Sequence, residues 1–222
     1  MRASARVRRN GAGRVLAWGG PDALSRRVRA APGEFLALDL EAHALLRDVP
    51  LRDVSVVDLP GGGSGRTIAD ARRLLHDARQ RHPLHVRALV GVRRVLGQLF
   101  GWDARPSNTA RSEPSYASRL TDDQRARSLS PSGSPEGPLR LVYEFPYEAV
   151  GEVTNATVHA FVCMALQPRA GGYRFYFAVY VANVSPLTPL YMAVIEPFRR
   201  FLVYPAMLGN LRAAWIAAYP ER

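Results

Sequence analysis

From Leu139 onward, apolar side chains recur with the two-residue period of β-strands. "LRLVYEF" (139–145), "YEAVGEV" (147–153), "ATVHAFVCMALQP" (156–168) and "GYRFYFAVYVANV" (172–184) predict four strands. Pro146 separates the first two, and the 169–172 stretch reads as a hairpin turn between the last two. Connections this short imply antiparallel pairing. In the last strand Tyr173, Phe175, Phe177, Val179 and Val181 alternate with Arg174, Tyr176, Ala178, Tyr180 and Ala182, so both faces are apolar or aromatic. The preceding strand repeats the habit, with Val158, Ala160, Val162 and Met164 on one side and His159, Phe161 and Cys163 on the other. One face packs the core. The other must also meet something apolar: a ligand, a partner, or more of the chain's own core.

Upstream the period changes. "LALDLEAHALLR" (36–47) predicts a short helix and "RDVSVVDLP" (52–60) a strand. After a glycine loop, Ile68, Ala71, Leu74, Leu75 and Ala78 fall at helical spacing, which predicts a helix over 67–80 with Thr67 as its cap. A second helix is expected from Pro83 to Gly101, with a broad apolar face. The C-terminal segment from Pro186 to Tyr219 reads as a long helix, kinked or broken by prolines at 189, 197 and 205. Residues 104–138 hold eight serines and five prolines and almost no large apolar residue. Such a composition predicts a flexible insertion, with a turn of helix near 122–128. Residues 1–33 read as a basic, flexible extension, leaving 34–222 as one domain. Helices flanking an antiparallel sheet make the fold class α+β.

The formal charge of +11 first suggests an anionic partner. Yet all 30 basic residues are arginine and they are scattered, and alanine, glycine and proline are also abundant. This is the signature of GC-rich codons, and no nucleic-acid module is present, so no specific nucleic-acid partner is expected. The single cysteine, Cys163, excludes a disulfide framework and reads as a buried inert thiol, which fits a cytoplasmic setting. Residues 175–195 carry no charge, but Asn183, Ser185, Pro186, Thr188 and Pro189 interrupt them, so a strand–turn–helix explains them better than a membrane span.

Three stretches carry a family resemblance: "VRALVGVRRVLGQLFGWD" (86–103), "VANVSPLTPLY" (181–191) and "YMAVIEPFRRFLVYPAML" (191–208). On these the chain resembles domain-of-unknown-function family 2867. That resemblance implies a helix-grip fold, in which a curved antiparallel sheet wraps a long C-terminal helix and two helices follow the first strand. START-like lipid-binding and polyketide cyclase-like proteins share this fold. The implied function is binding of a hydrophobic, polyketide- or lipid-like molecule between sheet and helix, with or without its cyclisation or isomerisation. A non-catalytic carrier is one alternative. Another is an interaction module that dimerises through the aromatic sheet face and touches a membrane with its C-terminal helix. The family carries His after its Pro-Phe pair, where Arg199 stands here.

Candidate chemistry follows from these placements. Histidine is the side-chain type suited to proton transfer near neutral pH, so His159, with Tyr176 or Tyr180 as donors, is the candidate for that role. Tyr143, Phe161, Asn183, Tyr191, Phe198 and Arg199 are the candidate ligand contacts, Arg199 for an anionic group. No cofactor or metal is expected: His82 and His85 lack nearby partners and read as surface residues. Glu144, Glu148 and Glu152, spaced by four, read as a solvated sheet face rather than an acid–base pair. "PGGGSGRT" (60–67) imitates a phosphate loop, but Pro60 replaces its first glycine and Arg66 its lysine. It is expected to act as a mobile hinge between strand and helix.

Overall fold

The computed structural model describes residues 32–79, 114–154, 159–182 and 199–220. The expected helix over 83–101, His82, His85, Asn183, Tyr191 and Phe198 lie outside these residues.

Among the described residues, two short helices open the chain, α1 (Pro32–Leu36) and α2 (Glu41–Leu45), where the sequence predicts one. The break at Leu38–Leu40 lets Phe35, Leu40, Ala42 and Leu46 all turn inward. Strand β1 (Leu51–Pro60), the glycine loop and α3 (Ile68–Arg79) follow as expected. The Asp70 carboxylate accepts from the Thr67 N–H at 3.1 Å, satisfying a donor at the helix start. Next come a 3₁₀ turn (Tyr116–Arg119), α4 (Asp122–Arg127) and the two-residue β2 (Pro135–Glu136). Four strands then follow: β3 (Leu139–Glu144), β4 (Glu148–Thr154), β5 (His159–Arg169) and β6 (Gly172–Ala182). The C-terminal helix starts as a π-helix (Arg199–Val203) and continues as α5 (Tyr204–Ala218). Pro205 falls in the first turn of α5, where the π-helical and α-helical parts meet.

The strands form one curved, open antiparallel sheet in the order β1-β6-β5-β4-β3-β2. Its register sorts the alternating residues into two apolar layers. The odd residues of β6, with Val57, Leu59, Ala149, Met164 and Leu166, pack against α3 and α5. There Leu208, Leu211 and Trp215 seal the interface. The even residues of β6, with Val54, Val56, Val150, Phe161 and Cys163, form the second layer.

That second layer is covered by the chain itself. Phe35, Leu40, Ala42, Leu46 and Val49 cover part of it, and Tyr116 and Leu120 another. The composition of 104–138 predicts a stretch unable to bury apolar surface. Its described part, from Pro114, differs: two large side chains suffice to dock it, and a capping box at Thr121–Gln124 and several serine hydroxyls satisfy its backbone. A register shift between Leu141 and Tyr143 in β3 turns Tyr143 into the second layer, while Leu141 stays on the helix side.

Candidate functional site

The sequence groups its candidate residues around a cavity facing the C-terminal helix, and the structure divides them. His159, Phe161, Tyr143, Tyr176 and Tyr180 all project into the second layer, on the face away from that helix. Of the described candidates only Arg199 lies on the helix side, where its Nε–H donates to Tyr204 Oη at 2.6 Å. His159 is wholly enclosed, 4.5 Å from the Phe161 ring and edge-on to Tyr116 at 5.3 Å. The Tyr176 hydroxyl donates to Glu34 at 2.7 Å, which ties α1 to the sheet. Tyr180 Oη lies 3.5 Å from His43 Nδ1, under α2. The aromatic face that invited a ligand or a dimer partner therefore meets the chain's own helices.

The three glutamates depart most from expectation. Glu144, Glu148 and Glu152 are only 4%, 6% and 5% exposed, so they are not a solvated face. A buried carboxylate is costly unless its oxygens are bonded, and each of these bonds to a segment that covers the sheet. Glu144 ion-pairs with Arg72 of α3 at 2.7 Å and accepts from the Ser130 hydroxyl. Glu148 accepts the backbone N–H groups of Glu41 (2.9 Å) and Ala42 (3.4 Å), the first two residues of α2. Glu152 does the same for the 3₁₀ turn, accepting from the Ser115 hydroxyl and the Tyr116 N–H (3.1 Å), with His159 Nε2 at 3.2 Å. Both carboxylates act as helix caps supplied by the sheet.

Their surroundings push them in opposite directions. Burial raises Glu148 to about 7, against the pull of its two backbone donors. Burial also works against the Glu152 carboxylate, but the His159, Ser115 and Tyr116 hydrogen bonds outweigh it and hold its pKa below the usual value. His159 and Ser115 both bond to Glu152, so the acid stands between them. A nucleophilic triad needs the histidine in that place, and this set serves to anchor the turn.

The helix side differs in character. Across β4 and β5, Val153 pairs with Ala160 and Gly151 with Val162, and Val181 and Val179 continue these rows on β6. Every residue is apolar. Val153, Ala160 and Val162 are only partly buried, unlike the stretch sealed under Trp215. Phe177 and Tyr204 (ring centroids 5.3 Å apart) border the strip, and the π-helical turn with Arg199 lies beside them. Such turns recur at functional sites because they displace side chains from regular helix positions.

The glycine loop holds no cradle for phosphate. Gly61, Gly62, Gly63 and Gly65 all have left-handed φ, which favours glycine. The loop folds over Trp215, whose Nε1–H donates to Pro60 O at 3.2 Å. Tyr173 Oη donates to Gly63 O (2.8 Å) and accepts the Arg66 N–H (3.1 Å). Arg66 itself lies over the Tyr219 ring at 3.9 Å.

Two open clefts lie on the described surface. One of about 340 Å³ runs between α3 and β2, past Arg72 and Glu136, which already pair. The other, about 550 Å³, is lined by Asp48, Pro50, Tyr116 and Arg119 among others, and the Arg119–Asp48 pair spans it. Among the described residues no cluster could hold a metal ion, and no helix is long and apolar enough to cross a membrane.

In comparison with known proteins, the family described as "Protein of unknown function (DUF2867)" matches residues 45–206. No curated protein and no solved structure matches the chain.

Proposed function

The chain belongs to the DUF2867 family, and we propose that it binds an apolar small molecule between the sheet and the C-terminal helix, as a helix-grip carrier rather than an enzyme. The observation behind this reading is the strip Val153–Ala160–Val162, apolar and incompletely covered, inside an otherwise sealed layer. Arg199, oriented by Tyr204, supplies a cation at the rim for an acidic end group. A carrier is favoured over a cyclase because His159, Tyr176 and Tyr180 lie on the opposite face, within the packed second layer.

Native mass spectrometry of the purified protein tests the reading, together with titration by a fluorescent long-chain fatty acid. A retained small molecule, or binding that Val162→Trp weakens by at least about tenfold, supports it. A protein that carries nothing and binds the probe equally well with Trp at 162 overturns it.

A further inference from the structure

The second sheet face carries an open cleft that the proposed function does not use. It holds about 550 Å³ and lies where β1 begins and β6 ends, with the 3₁₀ turn along one side. Its walls are tied down. Tyr116 is buried, with its N–H on Glu152 (3.1 Å) and its ring 4.3 Å from the Phe161 ring. Pro50 O accepts the Val181 N–H at 3.1 Å, which fixes that residue to β6. Pro50, Pro114 and Ala182 line the cleft with apolar surface. Arg119 stands over Tyr116, its Cζ 3.5 Å from the ring centre, a distance at which a cation and a π-face attract. One of its nitrogens, Nη1, donates to both Asp48 oxygens, each at 2.8 Å. Among the described residues, Nε and Nη2 of Arg119 reach neither a carboxylate nor a backbone carbonyl.

Those two nitrogens form the parallel N–H edge that a planar carboxylate meets with both of its oxygens. An ion pair as exposed as Arg119–Asp48 (43% and 48%) adds little stability. Its effect in the cleft, together with the Tyr116 ring, is to hold the guanidinium in place before any ligand arrives. We propose that this cleft binds a small organic carboxylate, whose acid group takes the Nε–Nη2 edge of Arg119 and whose flat apolar body lies against Pro50 and Pro114. Proline has no N–H, so that wall offers contact area without a donor. Asp48 selects the charge of the ligand. Its carboxylate offsets much of the Arg119 charge, so a monoanion is accepted, whereas a phosphate dianion meets a like charge across the guanidinium. The site lies on the other face of the sheet from the strip Val153–Ala160–Val162 and does not depend on it.

Two-dimensional amide NMR of the whole protein, titrated in turn with sodium benzoate, neutral benzamide and inorganic phosphate, tests the site. Benzoate is expected to move the signals of residues 48–51 and 115–120 and of the Arg119 Nε–H, with half-saturation near about 1 mM. Benzamide and phosphate should bind at least about tenfold more weakly. In Arg119→Lys, which keeps the charge and loses the fork, benzoate should also bind at least about tenfold more weakly. The proposal is overturned by no shift up to about 10 mM benzoate, or by shifts centred on residues 159–162 and Arg199. Benzamide or phosphate binding within about tenfold of benzoate overturns it too, as does Arg119→Lys binding within about tenfold of wild type. If Arg119→Lys does not fold, the wild-type Arg119 Nε–H signal decides: it should move downfield as benzoate binds, and an unmoved signal overturns the proposal.

Discussion

At the scale of the residue, Glu144, Glu148 and Glu152 illustrate three ways to bury a carboxylate: an arginine, two helix N–H groups, or a mixed set that includes a histidine. Their four-residue spacing is plain in the sequence, but their burial is not. The donors lie far away along the chain: Glu41 is 107 residues from Glu148, and Tyr116 is 36 from Glu152. Glu152→Ala should cost about 3 kcal/mol in urea unfolding, because it removes the acceptor of the buried Tyr116 N–H and a hydrogen bond to the His159 ring. The two acids also shape the pH profile in opposite ways. The Glu152 contribution is present above the usual carboxylate range and fades as pH falls through its lowered pKa. The Glu148 contribution is full below that range and fades toward pH 7. Thermal unfolding across pH should show wild type losing stability toward both ends, with Glu148→Gln removing the loss near neutrality.

Elements were legible where one period dominates. The four strands from 139 onward, β1 and α3 all follow from spacing alone, and even the short helix near 122–128 was visible. The glycine loop shows where local reading stops. Its failure as a phosphate motif could be read from Pro60 and Arg66, but its binding to Trp215 lies 155 residues away. Two substitutions separate backbone cost from packing cost there. A Cβ on Gly63 meets nothing within 4 Å, so Gly63→Ala should cost only the left-handed backbone, about 1 kcal/mol. A Cβ on Gly62 would stand 2.9 Å from Trp215 Cζ2, so Gly62→Ala should cost more, about 3 kcal/mol. Chemical denaturation of the pair measures the difference, and equal losses would mean that Trp215 moves aside freely.

For the molecule as a whole, the sheet is a shared wall between two cores. The helix-side core needs α3 and α5; the second needs residues from both N-terminal helices and from the 114–130 stretch. A chain beginning at Leu51 would therefore expose Val54, Val56, Tyr176 and Tyr180. It should bind a hydrophobic dye strongly and aggregate, whereas the full chain should do neither. Dye fluorescence and gel filtration measure the difference.

Alternation along β5 and β6 was enough to dictate strands apolar on both faces, and hence a sheet with two partners, because side-chain direction in a strand is a local property. The α+β class was legible for the same reason. Which partner covers which face was not. His159, Tyr176 and Tyr180 share a sheet face by parity, but only the packed layers place that face away from the C-terminal helix. The bulge that turns Tyr143 inward and the donors that make Glu148 and Glu152 tolerable below the surface were also settled by tertiary contacts. Spacing records which side chains point together. Burial and charge depend on what the rest of the chain lays over them.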